Sequence, residues 1–191
     1  MFAGFLIATL GAGCVTPGGG GTELFNGKNL DGWEVTDFAG GGAIKVKDGE
    51  IHMAMGELIS GINLAHENIP RTNYELEAEA MKLDGNDFFC GLTFPVGDTF
   101  ASFIPGGWGG TVVGLSSIDG MDAAENETAT FKQFKTHQWY HFRVRVTPGK
   151  IQCWVDDEMV VDLLLEDRAI ALRAGPIELS VPIGITSFQT V

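Results

Sequence analysis

The segment Tyr74-Glu75-Leu76-Glu77-Ala78-Glu79-Ala80-Met81 alternates apolar and acidic residues with a period of two. A strand points successive side chains to opposite faces. This run therefore buries Tyr74, Leu76, Ala78 and Ala80 and leaves Glu75, Glu77 and Glu79 on the other side. Tyr140-His141-Phe142-Arg143-Val144-Arg145-Val146 repeats the pattern, with His141, Arg143 and Arg145 on its polar face. If the two strands meet, Arg143 and Arg145 face the glutamates, a modest stabilisation on a solvated sheet face. A further strand, 151–156, follows the hairpin turn Thr147-Pro148-Gly149-Lys150.

Short β-branched and aromatic runs at 44–47, 50–55, 88–94, 99–104, 111–115, 159–164 and 183–186 have the same character. Asp48-Gly49 is a tight-turn signal between the first two. About ten short strands with turns every 8–12 residues make an all-β, two-sheet antiparallel sandwich or jelly roll. A helical period is confined to 163–173, and no internal repeat is visible.

Charge narrows the function classes. Lys plus Arg total 12 and Asp plus Glu total 25, so the chain carries −13. A nucleic-acid binder needs a basic face, which this balance excludes. A hydrophobic content of 45% excludes intrinsic disorder, and 191 residues suit one domain. The three cysteines, Cys14, Cys90 and Cys153, lack the close spacing of a zinc site. Cys90 and Cys153 sit inside strands, as buried thiols or as a disulfide in an oxidising compartment.

The N-terminal segment 1–14 is apolar, too short to span a bilayer, and ends Gly11-Ala12-Gly13-Cys14. It resembles a bacterial lipoprotein signal with Cys14 as the acylated residue. Plain secretion and a buried apolar N-terminus are the other readings. Residues 15–22 form a Gly-rich tether, and 23–191 the folded domain. The expected location is the cell envelope or beyond, with membrane contact only through the lipid.

The stretch 108–127 concentrates the candidate chemistry. Trp108 is flanked by Gly106-Gly107 and Gly109-Gly110, which suits stacking on a sugar face. Asp119, Asp122, Glu125 and Glu127 place four acids within nine residues. From Leu83 to Phe131 there are seven acids and no Lys, Arg or His. Such a stretch repels itself unless a cation compensates. It reads as a solvated loop, as a calcium site using Asp119, Asp122, Glu125 or Asn126, or as a substrate loop. The spacing does not match an EF-hand.

Leu24-Phe25-Asn26-Gly27-Lys28-Asn29-Leu30-Asp31-Gly32-Trp33 resembles the opening of the 3-keto-disaccharide hydrolase domain family. Val46-Lys47-Asp48-Gly49-Glu50-Ile51, Trp139-Tyr140 and Gly149-Lys150-Ile151 agree at the level of pattern. The resemblance implies a concanavalin-A-like jelly roll, a carbohydrate ligand and cleavage of glycosides oxidised at C3. It implies no redox cofactor, although calcium is a cation the acidic loop would suit. On this reading Trp108 and Asn126 bind sugar, and Glu125, Glu127 or Asp87 supply acid–base function. Arg143 would stabilise an enolate, and Asp119 and Asp122 would hold a metal. Two departures stand out. Many members carry a Tyr-Glu pair near Ala101-Ser102-Phe103-Ile104, and relatives usually extend one strand beyond Val191, which predicts an unpaired sheet edge.

Overall fold

The computed structural model describes residues 9–12, 21–66 and 68–191, the first of these segments as backbone only. In chain order the strands begin with β1 (Thr9–Ala12), β2 (Thr22–Glu23), β3 (Trp33–Val35), β4 (Ile44–Lys47) and β5 (Glu50–Met53). They continue with β6 (Ile59–Leu64), β7 (Tyr74–Met81), β8 (Gly91–Val96), β9 (Thr99–Gly106) and β10 (Val112–Ser116). The last are β11 (Thr130–Phe131), β12 (Trp139–Val146), β13 (Lys150–Val155), β14 (Glu158–Leu164) and β15 (Gly184–Phe188). A six-stranded sheet has the order β14-β13-β12-β7-β1-β2, and a seven-stranded sheet the order β11-β10-β9-β8-β15-β6-β3. All pairings are antiparallel. This is the expected two-sheet jelly-roll sandwich, with the β4-β5 hairpin packing Ile51 into the core at one end.

The period-two pattern decides which faces meet. In β7 and β12 the apolar positions are buried and the charged ones half-exposed. The register places Arg143 opposite Glu77 and Arg145 opposite Glu75. Arg145 pairs with Glu75, while Arg143 stacks 4.2 Å over the Trp154 ring. Between the sheets, Phe142 of β12 meets Phe103 of β9 edge-on at 6.4 Å. Phe89, Phe134 and Tyr140 extend this aromatic cluster at 5.0–6.1 Å. The Tyr74 hydroxyl donates to the Pro95 carbonyl at 2.6 Å, a buried hydrogen bond that ties β7 of one sheet to β8 of the other. Cys90 and Cys153 are free, fully buried thiols, and burial pushes both thiol pKa values up. They behave as small hydrophobes rather than as a disulfide.

The structure corrects one sequence expectation and adds strands the sequence did not show. Residues 163–173 are not helical: Leu163 and Leu164 end β14, and the rest crosses to the other sheet as an irregular strap. The amides of Ala169 and Ala171 are bonded to the 117–119 segment instead of to a preceding helical turn. The last strand, β15, is internal, paired with β8 on one side and β6 on the other. Strand β6 passes unrecognised in the sequence because Ser60, Gly61 and Asn63 interrupt its apolar run, and β3 because it is only three residues long. Within the segment assigned to an export signal, Thr9–Ala12 pairs with β7, whereas Cys14 lies outside the described residues. No helix among the described residues is long and apolar enough to cross a membrane.

Replacing Tyr74 by Phe removes the tie between the sheets without opening a cavity. The variant is expected to lose about 1–2 kcal/mol in urea unfolding, with an unchanged m-value.

Candidate functional site

The outer face of the seven-stranded sheet is where the site forms. Ser102 and Ile104 of β9, Ser116 of β10 and Phe188 of β15 line a cavity of about 350 Å³ on it. Thr93 and Ser102 share a 2.9 Å hydrogen bond in its floor. Small residues on this face let other segments close over it. A side chain at Gly184 would meet the Ser180 carbonyl at 2.3 Å, and one at Gly114 would meet Thr128 Oγ1 at 3.0 Å. Gly184 thus admits the strap that follows β14, and Gly114 admits the acidic loop.

The strap is fastened to the acidic loop by a short ladder. Ser117 N donates to Ala171 O at 2.7 Å, Ala171 N returns to Ser117 O at 3.1 Å, and Asp119 N donates to Ala169 O at 2.8 Å. Charge completes the fastening. Arg168 reaches Asp119 at 2.8 Å and Glu127 at 2.6 Å, and Arg173 reaches Asp122 at 3.2 Å. The self-repelling acids of the sequence are therefore compensated by two arginines from the strap. The Ala169 amide and then Arg168 hold the Asp119 carboxyl below its ordinary pKa. Among the described residues, no group of three or more His, Cys, Asp or Glu side chains converges as a metal site would require.

Trp108 and Arg173 stand at the mouth. Trp108 is 40% exposed and sits in a left-handed turn, φ 48° and ψ 55°, between β9 and β10. That conformation is uncommon for a bulky residue and marks a position the surroundings enforce. Asp87 provides part of the enforcement: its carboxylate accepts from Phe88 N at 2.9 Å and from Gly109 N at 3.2 Å. Lys82 lies close enough to Asp87 to feel its charge; burial lowers the Lys82 pKa and Asp87 partly opposes that. The Arg173 guanidinium lies 5.9 Å from the Trp108 ring centroid. Its carboxylate partner, Asp122, also accepts from Ser116 Oγ at 3.1 Å.

The residues singled out in the sequence thus separate. Trp108 lines the cavity; Asp122 holds two lining residues, Ser116 and Arg173. Asp87 supports the Trp108 turn. Glu125 is exposed, and Glu127 pairs with Arg168; neither lines the cavity. Asn126 is buried, and its amide is spent inside the loop on the carbonyls of Leu115, Met121 and Asp122 and on Thr128. Arg143 faces outward from the opposite sheet and is not brought to this site. Arg173, Ser102, Ser116 and the pair Phe88 and Phe188 complete the cavity without a motif to announce them. A sign of Arg173 did exist: a sequence with an unbalanced acidic loop needs basic partners from elsewhere. A second, more open cavity of about 570 Å³ lies beside Arg168, between the turns at Gly97 and Pro148.

The lowered Asp119 pKa gives the strap a pH dependence. Its contribution is fully present above the ordinary aspartate pKa and fades as pH falls through the lowered folded value. Hydrogen exchange should show the Ala169 and Ala171 amides losing protection in that acid window. In Asp119→Asn the protection is expected to be weak already at neutral pH, with no acid step.

Comparisons with known proteins agree with this architecture. The carbohydrate-binding module CBM66 from Bacillus subtilis superposes with a TM-score of 0.51 at 14% identity, over 87% of this chain and 92% of that one. A Crh5 transglycosylase in complex with NAG gives a TM-score of 0.55 at 15% identity, over 86% of this chain and 79% of that one. Both likenesses are of fold. No match is found among curated proteins. The 3-keto-alpha-glucoside-1,2-lyase-like domain family matches residues 20–190, so the chain belongs to that family.

Proposed function

We propose that the cavity holds a sugar ring and that the chain cleaves glycosides already oxidised to a ketone at C3. One observation carries the reading: among the described residues that line the cavity, Arg173 alone is charged, and Asp122 braces it over Trp108. A hydrolase acting on ordinary glycosides needs two carboxylates flanking the bond. Among the described residues, no carboxylate lines this cavity. A 3-keto-glycoside asks for something different.

The ketone acidifies the C2 proton. A base takes that proton, and the electron pair moves onto the C3 oxygen as an enolate. The enolate then collapses: C3=O reforms, a C1–C2 double bond appears, and the C1–O bond breaks. The leaving oxygen takes up a proton, and water later adds across the double bond. The Arg173 guanidinium, held by Asp122 at the cavity mouth, stabilises the enolate oxygen by its charge and its hydrogen-bond donors. Trp108 supplies a flat apolar surface for the ring, and Ser102 and Ser116 supply hydroxyls. Asp122 lies behind the lining and is assigned the role of base through Ser116. The C2 proton passes to Ser116 Oγ as that hydroxyl gives its own proton to Asp122, 3.1 Å away. Asp87 keeps the Trp108 turn in place.

The scheme uses no redox cofactor, and added calcium is expected to leave the rate unchanged. Export through the 1–14 segment, with Cys14 acylated, belongs to the same proposal: it would place the domain where glycosides are met, and the processed domain would then lack Thr9–Ala12, the strand that pairs with β7 here. A second reading is a carbohydrate-binding domain without catalysis. It is favoured by the lack of a carboxylate among the described residues of the cavity lining.

A chromogenic 3-keto-glucoside and its unoxidised parent, assayed side by side, separate these readings. Release from the keto compound alone is expected. Arg173→Gln should lower kcat by roughly 10²–10³-fold, as loss of an oxyanion partner does, whereas Trp108→Ala should act mainly on KM. Sugar binding by folded protein with no release from either compound would establish the second reading.

A further inference from the structure

The cavity has two chemically different ends. Ser102 and Ser116 are paired neighbours on β9 and β10, and Asp122 and Arg173 sit with them. Trp108 belongs to this end, because it lies in the turn joining the same two strands. Ile59 and Phe188 are paired neighbours on β6 and β15, diagonally across the sheet. Leu58, which precedes Ile59, and Pro176 and Ile177 of the strap close over them. Ile104 and Phe88 lie between the two ends, with the Phe88 and Phe188 rings 5.9 Å apart. Strands β9 and β15 are separated by β8 alone, so their axes are roughly 10 Å apart. That is wider than one sugar ring needs.

A second sugar would be a poor occupant of the far end. Its hydroxyls would face Leu58, Ile59, Ile177 and Phe188, none of which offers a side-chain hydrogen bond. Burying unpaired hydroxyls there is costly. An aromatic group gains instead, from apolar burial and from tilted contact with the two phenylalanine rings. A cavity of about 350 Å³ is within the range that holds a sugar ring plus one such group.

We infer that the substrate is a glycoside with an aromatic aglycone: the oxidised sugar lies at the Trp108–Arg173 end and the C1 substituent at the Leu58–Phe188 end. This rests on the sugar-cleft reading above and names the leaving group for it. The alcohol released is then a phenol, a better leaving group than a sugar hydroxyl.

Binding tests this apart from cleavage. Phenyl and methyl glucosides of the same anomer lack the C3 ketone, have no acidified C2 proton and so do not react. Titrated calorimetrically into the full chain, the phenyl compound should bind at least roughly tenfold more tightly. Leu58→Ser and Ile177→Ser alter exposed or half-exposed side chains that the core does not need. Each should erase most of the difference while leaving methyl glucoside unchanged, and circular dichroism checks that both fold. Equal affinity for the two glucosides, or tighter binding of a glucosyl disaccharide, overturns the aromatic aglycone and leaves the sugar cleft standing. If folded protein binds neither glucoside nor methyl 3-keto-glucoside, the sugar-cleft reading falls with it.

Discussion

The reciprocal hydrogen bonds between Ser117 and Ala171 are what turn a sheet face into a site. The sandwich core is complete without them: aromatic side chains from both sheets fill it, and Tyr74 ties the sheets together. The outer face of the seven-stranded sheet would then be a row of small and apolar residues open to water. The ladder at Ser117, Asp119, Ala169 and Ala171 fixes the strap across it. Arg173 reaches the Trp108 ring only because the strap is held there. The acidic loop, strap and Trp108 turn therefore act as one assembly on a rigid floor.

The same assembly explains the charge distribution. A loop with four acids in nine residues and no basic neighbour in sequence invites a metal. In the structure it meets two arginines more than forty residues away, at 168 and 173. One arginine is consumed by two acids, Asp119 and Glu127. The other keeps part of its surface exposed at the cavity and, among the described acids, is held by Asp122. That asymmetry separates the structural cation from the functional one in the present account.

The fold was legible in the sequence because burial on one sheet face writes a period of two, as in 74–81 and 140–146. That β7 and β12 could pair through the charges on their outer faces was legible too; which residue stands opposite which came from the structure. Strand β6 was not legible, since glycine and polar residues stand where its outer face must admit other segments. Trp108 was legible through its glycine surroundings and Asp122 through its neighbours' charge, although as a metal ligand. Arg173 was hidden, because its role depends on a contact across fifty residues of chain. Arg143 misled for a physical reason: a basic residue on a strand's polar face looks the same whichever side of the sandwich it occupies.

The central claim is that the sugar lies under the strap, between Trp108 and Arg173. A crystal structure of the protein with phenyl glucoside bound tests it most directly. The account predicts the pyranose ring against Trp108, with the Arg173 guanidinium within hydrogen-bond distance of its C3 oxygen. A ring found instead in the more open cavity beside Arg168, or on the charged outer face of the six-stranded sheet, would contradict it.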